Sequence, residues 1–352
     1  MNKQSQKSKI GEIQFRKEMS KQHLGLANLF KNEPTQAQFI KVQREKLKIT
    51  NKTFRALEKN SRLSPYLEIG SEYCLRSTLL ENNFKSKGFA TDISLSSLIA
   101  AKKMVPKLNY KRIPQRICVD AYNLPFKSNS FSFVFVYETL HHFPDPKPVL
   151  SEIERVLTPS GICLIGADPI KQEMQIKLWR RPNKLRFWEK LLKLILILPF
   201  ISHIGKTEVE FGIFEDAFNL KTWQNGLSVF DKVEATIAAY RFGPKQIIIK
   251  NSQKNWLLPQ PLVKLLIFFL GGSMEAVCIK KGKPKTISDK SITDLLICPN
   301  CLKSKKIENV LTKEKKSFLL CQKCYQKYVK INSVLVLLDK KLASALNLQN
   351  HI

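Results

Sequence analysis

Pro65 to Asp92 reads PYLEIGSEYCLRSTLLENNFKSKGFATD, and this stretch decides the fold. The apolar stretch Pro65 to Ile69 runs into Gly70, a helical pattern follows through Leu80, and a second strand ends at Asp92, 22 residues after Gly70. That gap is one strand, helix, strand unit. An acidic residue about 20 positions past a glycine turn is placed to accept hydrogen bonds from ribose hydroxyls. Asp92 is therefore the expected ribose clamp, with Glu68 and Gly70 as further cofactor-side candidates.

Two more strand ends complete an ordered set. Ile117 to Val119 delivers Asp120 and Ala121 ahead of Leu124, Pro125 and Phe126, and Phe131 to Val136 delivers Tyr137 and Glu138. His141, His142, the Pro-rich segment Phe143 to Pro148 and the turn at Pro159, Ser160 and Gly161 follow, before a fifth strand ending at Asp168. Over roughly residues 61 to 285 this combination resembles the class I methyltransferases, nearest to the branch that methylates small molecules such as quinone precursors. The resemblance implies a doubly wound, seven-stranded Rossmann-like α/β sheet and S-adenosylmethionine as cofactor. It also implies that Asp120 and Ala121 face the adenine and that Tyr137 shapes the pocket.

The first loop departs from the family pattern. Three glycines at alternate positions are usual, since glycine adopts φ above zero freely, but here Gly70, Glu72 and Cys74 hold those places. A modified loop path or weak cofactor binding is expected. Glu72 is read as the partner of the methionine ammonium, and Arg76 of its carboxylate. A sulfonium methyl is already electrophilic, so alignment and exclusion of water carry the reaction. A base is needed only for a hydroxyl or carbon-acid acceptor. His141 is the first choice, with Glu138, Asp168 and His142 as the other candidates.

The pairs Cys298-x2-Cys301 and Cys321-x2-Cys324, separated by 19 residues, fit a structural zinc ion held by four thiolates. With their flanks, Leu295 to Pro299 and the apolar positions from Tyr325 to Leu338, they make residues 290 to 340 similar to the zinc-ribbon activator subunit of tRNA, rRNA and protein methyltransferases. Asn332, Ser333, Val334 and Leu335 stand where that family usually has an Asp-Gly-Ile-Pro turn. The resemblance implies a ribbon that docks on its own methyltransferase domain, with a tethered, independent module as the alternative. The remaining cysteines, Cys74, Cys118, Cys163 and Cys278, are isolated in apolar contexts and give no disulfide framework.

The 352 residues, 43% hydrophobic, suit one domain with smaller attachments: an N-terminal helical arm (1–60), the main domain (61–285) with an insertion at about 169–215, the ribbon (286–342) and a tail (343–352). No leader with a cleavage site opens the chain, and its apolar runs are interrupted by Lys and Pro, so a cytoplasmic location is expected. Charge is uneven. The net +30 arises from 14 basic and 5 acidic groups in residues 1–60, 13 and 10 in 61–170, 20 and 9 in 171–285, and 12 and 5 in 286–352. The basic arm, insertion and ribbon are the parts that would meet RNA or an anionic membrane surface. The interleaved run from Trp179 to Lys193 and the apolar run Leu194 to Ile201 read as a surface helix touching anionic lipid, a lid over an apolar acceptor, or simple core. Three function classes follow: a methyltransferase for a small-molecule or lipid-linked acceptor, a tRNA or rRNA methyltransferase, and a non-catalytic scaffold.

Overall fold

The computed structural model describes residues 3–30, 33–174, 178–180, 187–195, 197, 202–204, 211–213, 217–239, 251–253, 261–283, 292–315 and 318–345. Arg181, Lys184, Arg186, most of the run after Leu194, and residues 240–250 and 284–291 lie outside the described residues.

α1 (Lys3–His23) and α2 (Gln36–Glu58) form the arm. The buried Gln22 organises the turn between them: its amide nitrogen donates to the Phe30 and Glu33 carbonyls (3.0 and 3.1 Å) and its oxygen accepts from Phe30 N–H (2.8 Å). A capping box starts α2, with Thr35 accepting from the backbone of Gln38 and the Gln38 side chain accepting from Thr35 N–H. Phe54 of α2 packs edge-on against Phe133 and Phe135, ring centres 5.6 and 5.4 Å away, which seats the arm on the sheet.

β1 (Tyr66–Ile69), α3 (Leu75–Asn83), β2 (Gly88–Asp92), α4 (Leu95–Met104), β3 (Gln115–Val119), β4 (Phe131–Tyr137), α5 (Lys147–Val156) and β5 (Leu157–Ile170) alternate along the chain. Their near-continuous apolar runs suit parallel strands covered on both faces, and every residue of β1 is buried. β5 begins earlier than expected. The Pro159, Ser160, Gly161 turn is absorbed as a bulge inside it, because Phe131 pairs with Leu157 while Phe133 already pairs with Ile162. The insertion contributes β6 (Leu178–Arg180), α6 (Phe187–Leu194) and β7 (Ser202–Ile204), with β6 and β7 pairing separately. α7 (Leu220–Leu227), β8 (Lys232–Ala239), β9 (Asn251–Gln253), α8 (Pro261–Leu270) and β10 (Gly272–Ile279) follow, and β10 runs antiparallel between β5 and β8.

The C-terminal unit contains α9 (Pro299–Lys305), β11 (Leu311–Lys315), β12 (Phe318–Cys321), β13 (Lys327–Ile331), β14 (Val334–Leu337) and α10 (Lys340–Ala345). β14 pairs in parallel with β3, from Val334 opposite Arg116 to Leu337 opposite Val119. In place of the expected seven-stranded sheet, the described residues form a twelve-stranded one, with β3-β2-β1-β4-β5-β10-β8 as its middle. β14 removes the open edge of β3, and its buried Val334, Val336 and Leu337 merge the two cores. No helix among the described residues is long and apolar enough to cross a membrane.

Asn332 (φ 46°) and Ser333 (φ 69°) form the two-residue turn between β13 and β14. Both are left-handed, as a type I′ hairpin requires. Ser333→Gly is therefore expected to stabilise the hairpin by about 1 kcal/mol. Slower amide exchange across β13 and β14 would report this; faster exchange would contradict it.

Candidate functional site

The C-terminal ends of β1 to β4 and the two arm helices enclose a cavity of about 410 Å³. Its floor is the loop after β1. Gly70 (φ 67°), Glu72 (φ 47°) and Cys74 (φ 60°) are all left-handed, so the chain follows the path that three glycines would take and carries two side chains along it. A left-handed conformation costs a non-glycine residue about 1–2 kcal/mol. Local bonds hold the loop against that cost: Asp92 Oδ2 accepts from Glu72 N–H at 2.8 Å, and Thr91 accepts from Ser71 N–H at 2.9 Å. Gly70 itself has no substitute, because a Cβ there would lie 2.3 Å from Thr139 Oγ1.

Asp92 ends β2 with its other oxygen accepting from Ser94 N–H at 2.8 Å, and burial raises its carboxyl above the usual range against these two amides. Glu72, Asp120 and Glu138 also line the cavity, and each meets a cation from the arm. Lys9 pairs with Asp120, and its ammonium lies 4.5 Å from the Tyr122 ring centre. Arg16 reaches Glu72 at 3.3 Å and Glu12 at 2.7 Å. Lys46 donates to both oxygens of Glu138 at 2.7 and 2.6 Å. Arg76 lies 3.6 Å from Glu138 and stacks over Tyr137, 4.1 Å from its ring centre. Burial pushes Glu72 up; it pushes Glu138 up too, but Lys46 and then Arg76 overcome it and hold that carboxyl below its ordinary value. His23 stacks on Phe39 with its Nδ1 2.9 Å from the Tyr73 hydroxyl, and burial followed by the nearby Arg16 lowers it to about 4.

Of the residues singled out in the sequence, Gly70, Glu72, Arg76, Asp92, Asp120, Ala121, Tyr137 and Glu138 line this cavity. Glu68, His141 and Asp168 do not. Glu68 is buried behind the loop, where its carboxylate accepts from Ser77 N–H at 3.1 Å and from the Ser77 hydroxyl, fixing the start of α3. His141 Nδ1 lies 2.9 Å from Asp168 Oδ1, and both are buried, so the pair braces β5 against the turn after β4 while the neighbouring His142 meets the cavity. Lys9, Arg16, Lys46 and His23 carry no local signal in the sequence that marks them as site residues. Helical spacing places them on the arm, but nothing in it pairs Lys9 with a residue 111 positions away.

A second cluster lies in the C-terminal unit. The sulfurs of Cys298, Cys301, Cys321 and Cys324 lie within 4.8 Å of one another, with Cys298 3.5 Å from Cys324 and Cys301 3.7 Å from Cys321. A zinc tetrahedron with arms of about 2.3 Å has edges of about 3.8 Å, so the donor set fits such an ion. Cys301 N–H points at Cys298 sulfur at 3.4 Å, and the buried Tyr328 hydroxyl lies 3.1 Å from the same atom, a partner the sequence had not marked.

The strand order, with an antiparallel strand set between β5 and β8, is that of the class I methyltransferase fold. Residues 67–165 match the family model described as a methyltransferase domain. The chain is similar to the 27-O-demethylrifamycin SV methyltransferase of Amycolatopsis mediterranei, 33% identical over 84 residues that cover 22% of this chain and 31% of that protein. It is also similar to a demethylmenaquinone methyltransferase of Bacillus mycoides, 34% identical over 85 residues, 24% of this chain and 35% of that one. The chain thus spans about a third of the length of these curated relatives. A solved protein of Pyrococcus horikoshii shares 17% identity and a TM-score of 0.40, covering 69% of this chain and 93% of that one.

Gly70→Ala is expected to cost roughly 2–4 kcal/mol, from backbone strain and the overlap with Thr139, and a melting curve unchanged from the parent would reject the loop geometry. Glu68 gives a pH signature. Burial raises it from 4.5 to about 7, so between those values the fold holds a proton that the unfolded chain has lost, and stability falls as pH rises through the window. Glu68→Gln should remove that slope. Denaturant titrations from about pH 5 to 8 should show the variant gaining on the parent; parallel curves would refute the assignment.

Proposed function

We propose that the chain binds S-adenosylmethionine in the cavity and transfers its methyl group to a small-molecule or lipid-linked acceptor. The observation that carries this reading is the left-handed loop at Gly70, Glu72 and Cys74, held by Asp92 at the end of β2. It reproduces a glycine-loop path beside an acidic strand end in the segment that matches a methyltransferase domain.

When bound, the cofactor supplies an electrophilic methyl on a sulfonium. The chain's own residues bind and orient. Asp92 keeps lone pairs for ribose hydroxyls, since a carboxylate offers about four acceptor sites. Asp120 would face the adenine, with Lys9 beside it as its charge partner. Glu72 and Arg76 would hold the amino-acid end, with Arg16 paired to Glu72 in the same wall. α1 and α2 cover part of the cavity and reduce its exposure to water. Glu138, kept ionised by Lys46, and His142 are the wall groups that would take a proton from an acceptor. The four cysteines hold a structural zinc ion, which leaves no open position for catalysis.

Calorimetry with S-adenosylhomocysteine tests the reading. Binding by the parent and a loss of about tenfold or more in Asp92→Asn are expected, roughly one lost charge-assisted hydrogen bond. No heat from the parent with either S-adenosylmethionine or its demethylated product sinks the proposal. Incubation with labelled cofactor and a crude extract then sorts the acceptor: label in the small-molecule or lipid fraction supports the reading, and label in RNA replaces it with an RNA methyltransferase.

A further inference from the structure

The C-terminal unit grips one loop of the main domain, residues 123–128, just beyond the end of β3. Ile297 N–H donates to the Pro125 carbonyl and Lys127 N–H to the Leu295 carbonyl, both at 2.9 Å, and Phe126 bridges Leu296 between them. Glu308 accepts from Ser128 N–H at 3.0 Å and pairs with Arg155 at 3.0 Å, while Arg155 also donates to the Phe126 carbonyl at 2.7 Å. One contact reaches further than these. The Asn123 side-chain amide donates at 2.8 Å to the carbonyl of Pro299, which lies inside the knuckle between Cys298 and Cys301. The same residue's backbone N–H donates to the Asp120 carbonyl at 2.9 Å, and Asp120 Oδ1 accepts from Tyr122 N–H at 3.1 Å. Asp120, Ala121 and Tyr122 are cavity wall.

We propose that Asn123 is a positioning residue that couples the four-cysteine knuckle to the cofactor cavity, so that a metal-loaded knuckle sets the place of Asp120 and metal and cofactor strengthen each other's binding. The proposal rests on the cofactor reading above. The physical basis is short. Residues 120–123 form a single turn with one wall in the cavity and one hydrogen bond into the knuckle, and the Pro299 carbonyl belongs to the first turn of α9, between Cys298 and Cys301. A knuckle without metal loses that fixed acceptor, and the turn loses the bond that keeps the Asp120 carboxylate aimed. Such linkage is reciprocal by thermodynamic necessity. Glu308 supplies the control, because it braces the same interface through Ser128 and Arg155 and has no bond to the turn.

The test uses the full-length, zinc-loaded protein and two variants, Asn123→Ala and Glu308→Ala. Calorimetry with S-adenosylhomocysteine should show Asn123→Ala weakened about fivefold or more, the lower range of such couplings, and Glu308→Ala unchanged within about twofold. Competition with a chromophoric chelator should show S-adenosylhomocysteine slowing zinc release in the parent and losing that effect in Asn123→Ala. Asn123→Gln, which keeps an amide donor, should recover part of the affinity. Equal losses in both alanine variants would reduce Asn123 to a general brace and overturn the proposal, as would unchanged affinity in Asn123→Ala. Should the parent bind no S-adenosylhomocysteine, the cofactor reading fails by itself. The coupling is then read from amide exchange at residues 120–123 with and without zinc: faster exchange on zinc removal supports it, and unchanged exchange overturns it.

Discussion

Four carboxylates at consecutive strand ends line one cavity, and the architecture around them is organised by the need to neutralise that charge. Glu72, Asp92, Asp120 and Glu138 face a space of about 410 Å³. Burying one ionised carboxylate without a partner is costly, and like charges in close quarters add to the cost. Asp92 is satisfied by two backbone amides. The other three take Arg16, Lys9 and Lys46 from the arm. The arm is thus the missing half of an electrostatic unit, and its packing over the mouth of the sheet follows from charge as much as from Phe39 and Phe54.

This alters how the basic charge of the chain is read. An arm with 14 basic and 5 acidic residues suggests a polyanion as partner when its sequence is taken alone. In the fold, three of those cations point inward at carboxylates, so part of the excess is internal compensation. The same constraint bears on the altered loop. Glu72 occupies a position where glycine is usual and bears the strain of a left-handed backbone, yet its side chain gives Arg16 a partner and so helps to dock α1. A residue that looks like a defect in the glycine pattern acts as part of the closure.

At the other edge of the sheet the organising contact is backbone pairing. β3 would present an open row of amides and carbonyls, and β14 covers it in register. That pairing brings the four-cysteine knuckle beside the loop after β3, so one covalent chain holds the cysteine cluster and the Asp120 wall of the cavity a single turn apart.

Much of the frame was legible locally. The alternation of strands and helices from Tyr66 to Asp168, the acidic ends of β2 and β3, and the two Cys-x2-Cys pairs are written in periodicity and spacing, which the backbone obeys whatever lies around it. Local pattern also placed Glu68 and His141 near the site, but it gave no direction to their side chains. Ser77 draws one behind the loop and Asp168 the other beneath it. Only the tertiary structure decided that Lys9 meets Asp120, that β14 joins β3 and that Asn123 reaches Pro299, because these contacts span 111 to more than 200 residues of chain. Sequence pattern encodes which face of an element is apolar, whereas the pairing of distant charges and strand edges is settled by where the packed elements leave a cation or an open edge.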